Sequence, residues 1–325
     1  MKQAPRIHGG PDALGAPVHD FSTNSNSCGP CPPTLAAVQA ADATRYPDAT
    51  YTRLRECLAA FHGVPAWRVV PAASASEFIF RITALTVRQG GRRVAVPQLC
   101  YGDYAHAARA WGLEVRQEPV AADLSWQCDP SSPLGQASSA WPHSAGTCVL
   151  DGAYSPLRLE GISFITESAR DALWQLFSPN KALGLTGVRA AYAIAPADAQ
   201  QSVQQLEALA PSWTVGAHGL AMLLSWTQAE TQAWLQQSLQ TLCMWKQQQV
   251  LLLQNRGWEV QASVTPFFCA RPPLGTDAAG LCSRLREHGI KLRDATSLGL
   301  PGWLRLGVLP PHAQQALLDA LVRLG

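Results

Sequence analysis

Lysine is scarce in this chain: of 325 residues only Lys2, Lys181, Lys246 and Lys291 are lysine, so 21 of the 25 basic residues are arginine. Charged residues make up 15% and nearly cancel, to a formal net charge of +2, with no run of Lys/Arg. A nucleic-acid or membrane-surface partner needs a dense basic footprint, so neither is expected. No stretch reaches the roughly 20 apolar residues that span a bilayer. The opening MKQAPRIHGGPDALG lacks the apolar run of a secretory signal. The nine cysteines are therefore expected to be reduced thiols in a cytoplasmic protein. They also lack the second ligand pair of a zinc knuckle, so no metal site is expected.

Hydrophobic residues, at 47%, suffice for a large core and a smaller lobe. The first 35 residues are rich in Gly and Pro and read as an extended arm. Helices are expected over Thr50–His62, Glu77–Gln89 and Tyr104–Trp111. They alternate with strands at Arg93–Pro97, Glu114–Pro119, Thr147–Leu150, Leu173–Phe177 and Arg189–Ala195, and Arg68–Pro71 is a short apolar run. Such alternation implies an α/β protein with a mainly parallel sheet. The interval Pro133–Ala145 reads as a loop. Long helices are expected at Ala197–Ala210 and His218–Asn255. A strand near Val260–Phe268, a helix over Ala278–His288, a strand at Leu304–Val308 and a helix over Pro311–Leu324 complete an α+β tail.

Against the scarcity of lysine, Lys181 stands out in the small, apolar segment Ser178-Pro-Asn-Lys181-Ala-Leu-Gly-Leu-Thr-Gly187-Val-Arg189. A lysine that attacks a carbonyl must lose its proton, which a constrained pocket beside a cation favours. Ser178 and Arg189 flank it, with Gly184 and Gly187 allowing a turn, and a hydroxyl with an arginine suits a phosphate. Thirty residues upstream, Cys148-Val-Leu-Asp151-Gly-Ala-Tyr154 puts a carboxylate at the end of a strand, where open α/β sheets place ligand contacts. Alone, each has a plain reading, a surface lysine or a helix-capping Asp. Together they favour a pyridoxal 5′-phosphate (PLP) site.

These segments resemble the signatures of class I/II aminotransferases, the fold-type-I PLP enzymes. The resemblance implies that Lys181 carries PLP as a Schiff base and that Ser178 and Arg189 hold its phosphate. It implies that Asp151 keeps the pyridine nitrogen protonated, and that Tyr154 donates to the ring oxygen. Ala72-Ala-Ser-Ala-Ser76-Glu77 opens a helix and matches the phosphate-binding turn, at Ala75 and Ser76. Pro97-Gln-Leu-Cys-Tyr101-Gly-Asp-Tyr104 matches the segment whose aromatic stacks on the ring; Tyr101 is assigned, with Tyr104 either a core residue or the platform itself. Arg45-Tyr46-Pro47-Asp48 matches a stretch whose Tyr46 reaches the partner subunit's cofactor, implying a homodimer with shared active sites. In Trp303-Leu-Arg305-Leu-Gly, Arg305 matches the clamp on the substrate carboxylate, the alternative being an edge-strand arginine that reaches water. The implied domains are an arm over 1–44 that joins the small domain, a large PLP-binding domain over 45–215, and an interdomain helix with a small C-terminal domain over 216–325.

Ile7-His8-Gly9-Gly10 and Asp20-Phe-Ser-Thr-Asn24-Ser-Asn26 are similar to threonine-phosphate decarboxylases of the cobalamin pathway, relatives of the histidinol-phosphate aminotransferases. This implies a small phosphorylated amino-acid substrate, with His8, Asn24 and Arg293 (in Ile290-Lys-Leu-Arg293) as contacts; His8 in an arm could equally face solvent. PLP breaks whichever Cα bond stands perpendicular to its ring, so motifs leave decarboxylation and amino transfer both open. The family's Asn-Pro-x-Asn-Pro-x-Gly is replaced by Asp129-Pro-Ser-Ser132-Pro-Leu-Gly135. Ser132 is too short to reach the ring oxygen without a backbone shift or a water, and losing that donor should raise the imine pKa. The replacement motivates a second class of reading, a non-catalytic relative, against which intact Asp151, Tyr154, Lys181, Arg189 and Arg305 stand. A third is a dithiol redox protein, since Cys28-Gly-Pro-Cys31 spells the thioredoxin tetrapeptide; no strand precedes it, and coincidence is the better reading.

Overall fold

The computed structural model describes residues 8–117, 121–138 and 146–324. The first half of the chain forms β1 (His19–Asp20), α1 (Pro32–Gln39), α2 (Thr52–His62), β2 (Val69–Ala72), α3 (Ala75–Arg88), β3 (Arg93–Val96), α4 (Gly102–Ala110), β4 (Glu114–Gln117), β5 (Leu124–Cys128) and β6 (Thr147–Asp151). Next come α5 (Glu167–Arg170), β7 (Trp174–Phe177), β8 (Ala191–Ile194), α6 (Gln200–Glu207), α7 (Ala217–Trp226) and α8 (Ala229–Gln254). The chain ends with β9 (Glu259–Val260), β10 (Phe267–Arg271), α9 (Ala278–Glu287), β11 (Ile290–Lys291), β12 (Arg293–Asp294), β13 (Leu304–Gly307) and α10 (Pro311–Leu324).

Seven strands make one sheet in the order β2-β8-β7-β6-β5-β3-β4. From β7 through β4 every pair is parallel, while β8 runs antiparallel to both β2 and β7. The α/β fold with a mainly parallel sheet is thus present. Side chains alternate between the two faces, as a strand's period of two requires. Val70, Ala191 and Ala193 pack with Phe78, Ile79 and Ile82 of α3, whereas Val69, Tyr192 and Ile194 pack with α2, α7 and α8. Each fully buried large apolar side chain contributes roughly 1.5–3 kcal/mol.

A second, antiparallel sheet has the order β12-β13-β10-β9 and shares a core with α9 and α10. The N-terminal segment reaches it: β1 pairs in parallel with β11, His19 opposite Ile290. Earlier in the segment, Asp12 ion-pairs with Arg286 (2.9 Å) and Lys291 (2.8 Å).

Four local expectations are corrected. The arm is not wholly extended, because α1 begins at Pro32-Pro33; proline suits a first helical turn, where its missing N–H has no partner to lose. β5 is unforeseen, since buried Ser125 interrupts its apolar pattern. The helix expected over 218–255 is two, α7 closing where the Thr227 hydroxyl donates to the Leu224 carbonyl at 2.9 Å. The strand expected over 260–268 is two short strands, between which Ser263 Oγ accepts from the Thr265 N–H (3.1 Å) and donates to the Phe267 carbonyl (2.6 Å), turning the chain. The end of the strand expected over 114–119, most of the 133–145 loop and Ile7 lie outside the described residues. Among those described, no helix is long and apolar enough to cross a membrane.

Candidate active site

Parallel strands share one carboxyl edge, and an antiparallel neighbour begins where the others end. β6 therefore delivers Asp151 to this edge, β7 leads into Ser178 and Lys181, and β8 starts just beyond Arg189. β2 leads to the start of α3, β3 to Tyr101 and β5 to Ser132. All of these groups line one cavity of about 600 Å³, a volume typical of small-molecule sites. Arg293 and Arg305 enter it from the second sheet, and His8 and Asn24 from the N-terminal segment. Every residue assigned by resemblance to the cofactor or the substrate, including Ala75, Ser76 and Tyr154, thus lines the same cavity, with the exception of Tyr46, and Tyr104, the alternative ring platform, does not line it. Tyr46 is 76% exposed and stacks on Trp213, ring centroids 4.3 Å apart.

Asp151 is buried. Its Oδ2 accepts from the Tyr104 hydroxyl at 2.6 Å and its Oδ1 from the Ala153 N–H at 2.9 Å. Burial pushes its pKa up, against the Tyr104 hydrogen bond and the Lys181 charge, which pull it down. Tyr104 is fully buried and stacks on Trp126 (4.4 Å, 8°), so it is a core residue that orients Asp151. Tyr101 is the ring at the cavity, its hydroxyl donating to Asp103 at 2.8 Å and lying 3.2 Å from Ser76 Oγ.

Lys181 Nζ donates to Ser178 Oγ at 3.2 Å and lies 5.6 Å from the centre of the Tyr154 ring. Burial lowers its pKa, Asp151 opposes that, and Arg189 adds to it. The lysine turn is held from outside. Asn26 N donates to the Lys181 carbonyl (2.9 Å), Asn26 Nδ2 to that of Ala182 (3.0 Å), and Cys31 N to that of Leu183 (2.8 Å). Gly184, at φ +66°, meets Gly29 so closely that a Cβ on it would lie 2.8 Å from Gly29 Cα.

At the start of α3, Ser74 Oγ accepts from the Glu77 N–H (3.0 Å), and Glu77 takes the Ala73 N–H (3.1 Å) while pairing with Arg81 (2.9 Å). The first-turn N–H groups of Ala75 and Ser76 have no acceptor within the helix, so this end presents donors to an anion. On the opposite wall, Arg293 and Arg305 are register partners across β12 and β13. Because β13 lies between β12 and β10, Arg305 is not on an edge strand. Arg305 Nη2 donates to the Ser22 carbonyl at 3.0 Å, and its Nε has no hydrogen-bond partner among the described residues. Arg293 donates to Ser297 Oγ at 2.7 Å; burial and then the Arg305 charge push its pKa down.

Sequence reasoning missed Asn180, His106 and Arg109, which also line the cavity. Asn180 Oδ1 is buried without a hydrogen-bond partner among the described residues, as is Asn24 Oδ1. Adjacency to Lys181 was the only signal for Asn180. His106 and Arg109, one helical turn apart, become visible only once α4 is placed. The redox reading does not hold: burial raises the Cys28 thiol to about 11, opposite to activation, and Cys31 is buried.

An amine, a buried carboxylate, two phenols, a helix start with an arginine, and unpaired buried donors and acceptors fit PLP together with an amino-acid substrate. Comparison with known proteins agrees. The family model described as aminotransferase class I and II matches residues 16–157 and 143–324. A histidinol-phosphate aminotransferase of Pseudomonas putida (strain W619) is 27% identical over 327 residues, covering 93% of this chain and 92% of that protein. Histidinol-phosphate aminotransferase 2 of Burkholderia mallei is also 27% identical, covering 98% and 95%. Two solved structures show the same fold. L-threonine-O-3-phosphate decarboxylase from Porphyromonas gingivalis has a TM-score of 0.79 at 22% identity, covering 94% of this chain and 99% of that one. Histidinol-phosphate aminotransferase from Sinorhizobium meliloti, in complex with pyridoxal-5′-phosphate, has a TM-score of 0.83 at 20% identity, covering 100% and 97%. The chain belongs to the aminotransferase class I and II family, and is an enzyme whose cofactor is PLP.

Proposed function

We propose that this enzyme decarboxylates a small phosphorylated amino acid, with L-threonine O-3-phosphate as substrate and aminopropanol phosphate as product. The observation that carries this reading is the N-terminal segment. Gly10 donates its N–H to Ser22 Oγ at 2.9 Å and accepts from Lys291 Nζ at 2.5 Å, and this places His8 and Gly9 in the cavity near two arginines. A substrate with two anionic groups, carboxylate and phosphate, suits Arg305 and Arg293.

When bound, PLP supplies an electron sink for the bond broken at Cα. Ser178, Arg189 and the N–H groups of Ala75 and Ser76 would hold its phosphate, Lys181 its aldehyde carbon, and Tyr101 one ring face. Asp151, whose carboxylate form Tyr104 and Lys181 favour against burial, would hold a proton on the pyridine nitrogen. Tyr154, and Ser132 at longer reach, would serve the ring oxygen. Arg305 would bind the substrate carboxylate and so orient the bonds at Cα. Lys181 Nζ, in the same cavity, would return a proton to Cα after loss of CO2. Tyr46, outside its own cavity, would serve the active site of a second subunit in a homodimer.

Purified enzyme given threonine phosphate should release CO2 stoichiometrically without a 2-oxo acid. The second reading, amino transfer to or from a phosphorylated substrate, is favoured by the names of the curated relatives. Turnover that requires a 2-oxo acid and releases no CO2 would establish that reading and reject the first.

A further inference from the structure

Two carboxylates line the active-site cavity, Asp151 and Asp103. Asp151 has its place in the chemistry above, and Asp103 has none. Asp103 sits in the first turn of α4 and is only 5% exposed. An acid at a helix start interacts favourably with the helix dipole, but it can do so from the surface without losing water. Burying a carboxylate is costly unless hydrogen bonds compensate for it. This one is buried two hydrogen bonds from Ser76, at the helix start that offers its N–H groups to an anion. Charge alone makes that an unfavourable place for it.

Its partner explains the position. Asp103 Oδ2 accepts from the Tyr101 hydroxyl at 2.8 Å, and that hydroxyl lies 3.2 Å from Ser76 Oγ. Burial, and then the Asp103 charge, push the Tyr101 pKa up, so the phenol keeps its hydrogen. A phenol has one hydrogen to give. Given to Asp103, it leaves only lone pairs towards Ser76, whose own hydroxyl hydrogen is then free for an acceptor in the cavity. The Tyr101 ring also meets Tyr104 edge to face, centroids 5.8 Å apart at 85°. Tyr104 is itself fixed by its stack on Trp126 and its bond to Asp151. A core aromatic thus holds the body of the Tyr101 ring, and Asp103 holds its hydroxyl.

We infer that Asp103 is a positioning residue for the cofactor, acting through Tyr101: it sets the angle of the ring that stacks on the pyridine and leaves the Ser76 hydroxyl to the phosphate. This rests on the placement of Tyr101 against the PLP ring. The test is PLP affinity, with the visible circular dichroism of the bound cofactor, in Asp103→Ala, Asp103→Asn, Tyr101→Phe and the double variant Asp103→Ala/Tyr101→Phe. Two effects of Asp103→Ala have opposite signs. Removing a negative charge near a phosphate would tighten binding, whereas freeing the ring loosens it. Asp103→Ala is expected to bind PLP about ten-fold more weakly, the worth of one hydrogen bond to a charged group, with an altered dichroism band. Asp103→Asn keeps an acceptor for the phenol, so it should bind PLP at least as tightly as the wild type, with the band unchanged. Tyr101→Phe should also weaken binding, and Asp103→Ala should weaken it no further in that background. Wild-type affinity or tighter binding in folded Asp103→Ala would overturn the inference, as would a loss that persists in the Tyr101→Phe background. If Asp103→Ala does not fold, an unchanged affinity and band in Tyr101→Phe would overturn it. Tyr101→Ala separates the two levels: if it changes neither readout, the placement of Tyr101 fails as well, and if it changes both while Asp103→Ala changes neither, only the role of Asp103 fails.

Discussion

Asp151 and Lys181 each lose solvent in the cavity, and each relieves the other. Burial drives the carboxyl towards its protonated form and the amine towards its free base, while their mutual attraction restrains both. Tyr104 adds a hydroxyl donor that favours the carboxylate. Asp151→Asn keeps the shape and removes the charge, so kcat should fall about 10- to 100-fold, the worth of a charged hydrogen bond of roughly 1.5–3 kcal/mol. Tyr104→Phe should produce a smaller fall in the same steady-state assay, because it leaves the charge in place. Arg305→Lys replaces a planar fork by a point charge. It should lower kcat/KM for threonine phosphate while leaving PLP affinity unchanged, which separates substrate binding from cofactor binding.

At the level of elements, the segment around Asn26 ties the lysine turn to α8. Asn26 Nδ2 reaches both the Ala182 carbonyl and Ser238 Oγ (2.7 Å), and Oδ1 accepts from the Cys28 N–H. Asn26→Ala leaves these buried partners unmatched and should cost roughly 1–3 kcal/mol in urea unfolding, with faster loss of bound PLP. At the end of α2, His62 has a folded pKa of about 4 against an ordinary 6.5. The unfolded chain therefore takes up the proton more readily. The stability gained by keeping the ring neutral is fully present above pH 6.5 and is lost as the pH falls towards 4. The urea midpoint of the wild type should drop more between about pH 7 and about pH 5 than that of His62→Gln; equal drops would contradict this assignment.

The same scale shows why some of the protein was legible in its sequence. Asp151 with Tyr154, and Ser178 with Lys181 and Arg189, each sit on one strand end and the turn after it, so sequence spacing carries over almost directly into space. β5 was hidden because a strand buried on both faces can carry Ser125 and Gln127 without losing its place between β6 and β3. α1 was hidden because its first turn is proline. The break between α7 and α8 has neither Gly nor Pro to mark it. Asn180 and the α4 pair His106 and Arg109 depend on where neighbouring elements turn, which one sequence does not encode locally.

At the scale of the molecule, two sheets and an N-terminal segment converge on one cavity. Tyr46 and Trp213 form an exposed aromatic pair beyond it, and Trp213 Nε1 donates to the Pro47 carbonyl at 3.1 Å. A homodimer is expected in sedimentation, and Tyr46→Ala should weaken PLP binding although Tyr46 does not line the cavity of its own chain.

The most direct test of the whole account is borohydride treatment of the PLP-loaded enzyme, followed by peptide mass mapping. With only four lysines to choose from, the account predicts one cofactor per chain, fixed on the peptide that holds Lys181, and none after Lys181→Ala. Cofactor found on Lys2, Lys246 or Lys291 instead, or undiminished labelling of the variant, would contradict it.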